Sequence, residues 1–329
     1  MKNKKDRIKK AVVIGGGTGA ATILRGLKNY PLKLSAIVTT ADNGGSSGKL
    51  RREFNLVPPG DVRQCFVALN DDKNLILSYF NLRFGQGSLK GHNLGNLFFL
   101  LLWQKLGDFQ KAIDQAQRIF GSPHEIIPMT KVPTNLIARL ASGKKVSGVV
   151  EIHHFSGLKT QLKRLELLPK NVKINPKAKV AISQADFIIV APGNLLLSLT
   201  PIFLVKGVKQ AFLKSRAKKI YVVNLMNQKR LTDGFGLADY LAYFEKLLGQ
   251  DIFDFILYNS KMIGKKLLAK LAFDAEKIRD AKPIDDRRFI GGDFLDLAIP
   301  KLSPHDPMKR PLVRHHPGKI GRQIFKLMK

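Results

Sequence analysis

Residues 11–14 (Ala-Val-Val-Ile) run straight into Gly15-Gly16-Gly17, and this junction constrains the fold more tightly than any other stretch. A short, unbroken apolar run that stops on glycines reads as a strand buried on both faces, the habit of parallel sheets. Residues 18–27 follow with helical spacing, Ala21, Leu24 and Leu27 sharing one side. Residues 34–39 make a second strand, and 41–48 a polar, glycine-rich turn. Strand, glycine turn, helix and strand form a βαβ unit, whose crossover is right-handed.

Beyond it the pattern predicts a helical block at 61–69, 73–84 and 93–106, the last so rich in Leu and Phe that it should be buried on most sides. Asp108 is placed to cap a helix through 120. Short strands are predicted at 125–129, 135–141, 146–152 and 163–168, with a hairpin turn at Ser142-Gly143-Lys144-Lys145. An α/β rhythm then resumes: helix 176–183, strand 187–190, helix 202–215, strand 219–225, helix 237–248, strand 253–258 and helix 262–271. The expected fold is α/β, a Rossmann-like, doubly wound, mainly parallel sheet with a small antiparallel β elaboration at about residues 122–172. One domain is expected over 11–316, between basic tails at 1–10 and 317–329.

With 44% hydrophobic residues in 329, the chain can bury a full core. Cys65 is the only cysteine, so no internal disulfide forms and a reducing compartment is expected. The apolar runs at 97–103 and 187–192 are too short to span a membrane, and no secretory segment opens the chain. Lys and Arg number 56 against 25 Asp and Glu, a net +31. Such a balance favours polyanions, but the basic residues are spread along the chain and no nucleic-acid-binding motif accompanies them. Nonspecific nucleic-acid affinity is the most this charge implies.

Gly15-Gly16-Gly17-Thr18-Gly19-Ala20 satisfies G-x-G-x-x-A between a strand and a helix, where backbone amides and the helix dipole receive a phosphate. A tight turn with close helix packing gives the same pattern. Asp42-Asn43-Gly44-Gly45-Ser46-Ser47-Gly48 lies beyond the second strand, where an acid can receive ribose hydroxyls; plain turn chemistry is equally legal. Asp61 and Arg63 open one helix, and His92, Asn93 and Asn96 open the most apolar one. Ala191-Pro192-Gly193-Asn194 is a second candidate anion turn, and Asn224 ends the next strand. With Arg314, these ionisable groups suit a diphosphate and Mg²⁺. No nucleophile pair, serine elbow, His-Glu-x-x-His or acidic metal cluster is present in the sequence.

Taken in order, residues 14–19, 40–51, 58–63, 91–97, 191–194 and 224–228 resemble the bacterial gluconeogenesis factors, within the superfamily of the 2-phospho-L-lactate transferase of deazaflavin coenzyme synthesis. The resemblance implies a Rossmann-like fold, a cytoplasmic location, a UDP-sugar type of ligand, and a role in cell shape and growth on gluconeogenic carbon. By that analogy Asp42 and Asp61 are ligand, catalytic or Mg²⁺ carboxylates, Gly193-Asn194 is a phosphate turn, and the amides after Gly15 hold the nucleotide. A homo-oligomer is compatible with it. The chain departs from the family where two adjacent acids become Asp42-Asn43, and where Gly-Pro-Gly-Ser becomes Ala191-Pro192-Gly193-Asn194. Gly148-Val149-Val150 stands in place of Gly-Glu-Ser, and Arg314-His315-His316 in place of Arg-His-Asp. Two readings follow: a regulatory nucleotide-sugar binder without turnover, or a Mg²⁺-dependent phospholactyl-type transferase. The incomplete acid pair favours the first. A nicotinamide dehydrogenase is disfavoured for want of hydride-chemistry residues.

Overall fold

The computed structural model describes residues 7–70, 73–264, 275–276, 278, 285–298 and 313–329. The strands are β1 (Lys9–Gly15), β2 (Leu32–Val38), β3 (Glu125–Pro128), β4 (Asn135–Leu140), β5 (Lys145–Ser147), β6 (Leu162–Leu168) and β7 (Phe187–Val190). They continue as β8 (Lys218–Val222), β9 (Asn227–Gln228), β10 (Phe255–Asn259), β11 (Ala275–Glu276), β12 (Phe289–Gly292), β13 (Leu295–Asp296) and β14 (Arg314–His315). Seven of them form one sheet in the order β3-β2-β1-β7-β8-β10-β12, every neighbouring pair parallel. This is the doubly wound order, which reverses direction between β1 and β7.

Alternation along β1 sends its side chains into two cores. Ala11 and Val13 join one apolar cluster and Val12 and Ile14 the other. The first core is covered by α1 (Gly17–Leu27), α3 (Pro59–Leu69) and α6 (Phe109–Ile119), with Phe66, Phe99 and Ile113 fully buried. Helices Pro176–Gln184, Val208–Lys214 and Leu237–Leu248 cover the second, around Ile182, Phe212 and Phe244. The helices change face where the strand order reverses, as right-handed crossovers demand.

Several expectations are corrected. Glu125–Pro128 belongs to the main sheet as β3, parallel to β2, and not to the elaboration. Three of its four residues are buried in succession, the mark of a parallel strand, whereas Asn135–Leu140 alternates between buried and half-buried. The elaboration is the antiparallel sheet β5-β4-β6, and residues 149–154 form a helix instead of a strand. The turn read at 41–48 becomes a helix, α2 (Gly45–Phe54), from Gly45 onward. Helix 73–84 shrinks to α4 (Leu75–Tyr79), and 202–215 breaks at residues 205–207. In α5 (Leu94–Leu106) only Gly95, Asn96, Phe99 and Leu100 are buried, so it is far more open than its composition implies. Most of the helix expected at 262–271 lies outside the described residues.

Residues 317–327, read as a basic tail, are a helix, Pro317–Leu327, that completes the first core with Ile320 and Ile324. His316 caps it by accepting from the Gly318 and Lys319 amides, and Tyr30 stacks on Phe325 at 4.1 Å. It crosses α1 at a glycine pair: a Cβ on Gly321 would lie 2.2 Å from the Gly26 carbonyl oxygen.

Candidate functional site

The carboxyl ends of β1 and β7 face the crevice where the strand order reverses, the position at which doubly wound sheets collect ligands. Two glycine turns meet there. A Cβ on Gly19 would fall 1.7 Å from the Pro192 carbonyl oxygen, so only glycine lets α1 lie against the turn after β7. Gly15 likewise faces Ala191 across the strand ends. Gly16 holds the N-cap of α1 in extended backbone, Gly17 turns at φ +59, and neither a capping side chain nor a first-turn acid satisfies the helix amides.

Asp61 lies against that helix start. Cβ atoms built on Gly16 and Gly17 would stand 2.4 and 3.3 Å from its carboxylate oxygens. The carboxylate therefore shares the space a phosphate would take in a dinucleotide fold, and an anionic ligand meets it unless a cation lies between. Thr18 is fixed next to it by a 3.2 Å hydrogen bond to Gln64.

Across Gly60 lies the loop after β2. Asp42 accepts the Gly44 amide at 2.9 Å, and its second oxygen would be 3.6 Å from a Cβ on Gly60. Arg51 donates to the Asp42 carbonyl oxygen, and burial holds its pKa below the usual guanidinium value. The buried start of α2 anchors a polar relay. Ser46 shares a hydrogen bond with His92 Nδ1 at 3.1 Å and accepts from Asn96 at 2.9 Å. Asn96 accepts from Arg63 Nε at 2.9 Å, and Arg63 also donates to Asn81. Ser47 is buried beside Gly60. Burial, then Lys49, pulls the His92 pKa below its ordinary value, Glu53 opposing, so its imidazole is neutral at pH 7. Asn93 takes the N-cap position of α5 without capping it; its amide donates to the Asn81 carbonyl, and its buried Oδ1 has no protein partner.

The far wall follows β7 and β8. Asn224 grips Gly193 twice, accepting its amide and donating to its carbonyl, each at 2.8 Å. The Gly193 amide is thus occupied by the protein. Asn194 caps the next helical turn at the Leu197 amide and donates to Gln228, which in turn contacts His153. Arg314 sits half-buried in the antiparallel pair β13–β14. The neighbouring His315 is buried and bonded to the Val223 backbone, next to Asn224.

Helix Val149–His154 spans these walls. Asn43 donates to Glu151 at 2.7 Å and accepts the Val150 amide at 3.0 Å, while His153 reaches Gln228 on the other side. The antiparallel elaboration is therefore a roof pinned to both sides of the crevice. Gln64, Asn81, Glu151 and His153 were not readable as site residues, because each works through a partner distant in sequence. Gln228 carried a signal, four positions after Asn224 in one strand-end motif. Among the described residues no group of three or more His, Cys, Asp or Glu is arranged to hold a metal, and no helix is long and apolar enough to cross a membrane.

His315 makes a pH prediction. Burial pushes its pKa down to about 4, whereas an unfolded histidine titrates near pH 6.5. Between those values the unfolded chain binds the extra proton, so this stability is fully present above about pH 6.5 and falls as pH drops toward 4. The span is worth about 3 kcal/mol. Urea midpoints at pH 7 and pH 4.5 should converge less for wild type than for His315→Phe; equal pH dependence of the two would refute the assignment.

A seven-stranded parallel sheet whose order reverses between β1 and β7, with two strand-end glycine turns at that point, defines the class as a Rossmann-type, doubly wound α/β protein. The chain belongs to the family of the 2-phospho-L-lactate transferase CofD, whose family model matches residues 11–288. It is 38% identical over 321 residues to the gluconeogenesis factor of Halalkalibacterium halodurans, covering 96% of each chain. Identity to the gluconeogenesis factor of Bacillus subtilis is 33% over 322 residues, 97% of this chain and 98% of that one. A crystal structure of a UPF0052 family protein from Bacillus halodurans superposes with a TM-score of 0.86 at 33% identity, covering 97% of this chain and 99% of that chain.

Proposed function

We propose that this protein binds a nucleotide diphosphate sugar, of the UDP-sugar kind, in the crevice between β1 and β7, and acts as a cytoplasmic regulator of gluconeogenic growth and cell shape. The relay Ser46, His92, Asn96 and Arg63 carries this reading. It is a buried, mutually bonded set of neutral and cationic groups, suited to recognising a polar ligand. The roof pinned through Asn43 and Gln228 fits a site that retains its ligand. Calorimetry with UDP-sugars, GDP and NAD tests it: saturable UDP-sugar binding without product formation is expected. Binding of GDP alone, with no UDP-sugar heat, contradicts it.

Asp42 is the acid for a ribose hydroxyl or a ligand-borne cation. Asp42→Asn keeps the oxygen that accepts the Gly44 amide, so the loop survives and only the charge is lost. Affinity should fall by about 1–3 kcal/mol, the cost of losing a charged hydrogen bond. Unchanged affinity would leave Asp42 as turn chemistry.

The transferase reading draws on two carboxylates: Asp42, whose second oxygen would stand 3.6 Å from a Cβ on Gly60, and Asp61, whose oxygens lie against Gly16 and Gly17. They fit a Mg²⁺ that arrives with a diphosphate, since that ion commonly takes one or two carboxylates plus phosphate oxygens. When bound, it would neutralise phosphate charge beside Asp61. Asn43 is engaged with Glu151 and Val150, so the family's second acid would here put a carboxylate against Glu151. Product formation from a nucleotide diphosphate donor and a hydroxyl acceptor, dependent on Mg²⁺, would select this reading over the first.

A further inference from the structure

We propose that the outward side of helices Pro176–Gln184 and Val208–Lys214 docks an acidic segment of another protein, anchored by an apolar side chain in the groove between Thr200–Leu204 and Val208–Lys214. The first two helices pack together and a backbone bridge joins Lys173 to Lys206, so their basic residues share one surface. Between residues 170 and 219 the only acid is Asp186, and it is engaged by Arg7 and the Lys10 amide. Lys177 and Lys218 pair with Asp114 and Asp254, Lys219 is buried, and Lys209 donates to the Leu247 carbonyl. Lys170, Lys173, Lys179, Lys206, Lys214 and Arg216 stay exposed, with no acidic partner among the described residues. The adjoining helix Leu237–Leu248 ends with Glu245 and Lys246, whose charges cancel.

The groove decides which polyanion fits. Its volume is about 400 Å³, and it is lined by Phe203 and Val205, both buried, by half-buried Leu204 and Leu213, and by the exposed Lys206 and Lys214. A cavity of about 150 Å³ already admits a benzene ring, so a leucine or phenylalanine side chain enters this one. The apolar surface is recessed and the cations stand out. A bilayer presses on what protrudes, and a phosphate backbone has nothing apolar to bury in such a floor. Phe187, Phe203 and Phe212, the aromatic residues between 170 and 219, are all buried, which leaves no ring on which a base could stack. A polypeptide supplies carboxylates and an apolar anchor a few residues apart. The surface is small, so the complex is transient and its encounter is steered by charge.

The probe is a fluorescein-labelled peptide of glutamates and aspartates around one central leucine, titrated with the full chain at low ionic strength. Wild type should bind it saturably and about tenfold more tightly than the same peptide with serine for the leucine. That comparison needs no variant, so misfolding cannot mimic it. Lys206→Glu/Lys214→Glu should weaken binding about tenfold or more. The control Arg322→Glu/Lys326→Glu makes the same change of charge on the helix Pro317–Leu327, which covers the first core on the other face of the sheet, and should leave affinity within about twofold. Absence of binding, equal affinity for the two peptides, or equal losses in the two variants overturns the proposal. A DNA duplex or a phosphatidylglycerol vesicle that binds more tightly than the leucine peptide, and is lost in Lys206→Glu/Lys214→Glu, assigns the face to nucleic acid or lipid and overturns it too.

Discussion

Gly321→Val should cost about 3–5 kcal/mol of folding stability, the upper range for a single substitution, because the new side chain meets main chain on both sides of a helix crossing. A Cβ at 321 would stand 2.2 Å from the Gly26 carbonyl oxygen, and one at Gly26 would stand 2.2 Å from the Pro317 carbonyl oxygen. Neither atom is the end of a flexible side chain that can swing aside. Separation of the helices uncovers Ile320, Ile324 and the Tyr30–Phe325 stack together. Urea unfolding is the measurement. A midpoint within error of wild type would show that the crossing tolerates a methyl-bearing residue and that the helix is not integral to the core.

The second large effect belongs to the crevice. Gly19→Ala places a methyl carbon 1.7 Å from the Pro192 carbonyl oxygen, so α1 and the turn after β7 must move apart. Both stability and affinity for the proposed nucleotide ligand should fall, affinity by 100-fold or more, about 2.7 kcal/mol or above, since that ligand would bridge parts that no longer meet. Gly193→Ala is the control: its nearest neighbours would be at 3.7 Å, an ordinary contact, and it should stay folded with a small change in affinity. If Gly19→Ala binds as wild type does, the two turns do not form one site.

What was legible in the chain was local. The run into Gly15, the strand at 187–190, the helix Leu237–Leu248 and the Asp108 cap were all visible, since each rests on neighbours a few positions apart. The candidate crevice was legible as turns: Gly15–Gly19, Asp42, Gly193 and Asn224 each end or follow a strand. Partnerships were not, because they join positions far apart, as in Asn43 with Glu151 or Arg63 with Asn96. The membership of Glu125–Pro128 in the main sheet depends on its pairing with β2, which no local pattern encodes. Composition misled in both directions. Glycines hid α2, leucines promised α5 a burial it lacks, and lysines masked Ile320, Ile324 and Met328, spaced one helical turn apart behind a capping His316.

The docking of Pro317–Leu327 on α1 also bears on how the protein is made. The βαβ unit emerges from the ribosome early, yet its outer helix keeps an apolar side that only residues translated much later can cover. Until then α1 is covered by β1, β2 and α3 only, and contacts so distant along the chain close slowly. A ribosome that stalls after the sheet is complete would release a chain with its crevice largely formed and one flank sticky. Closure of the first core thus waits on Pro317–Leu327.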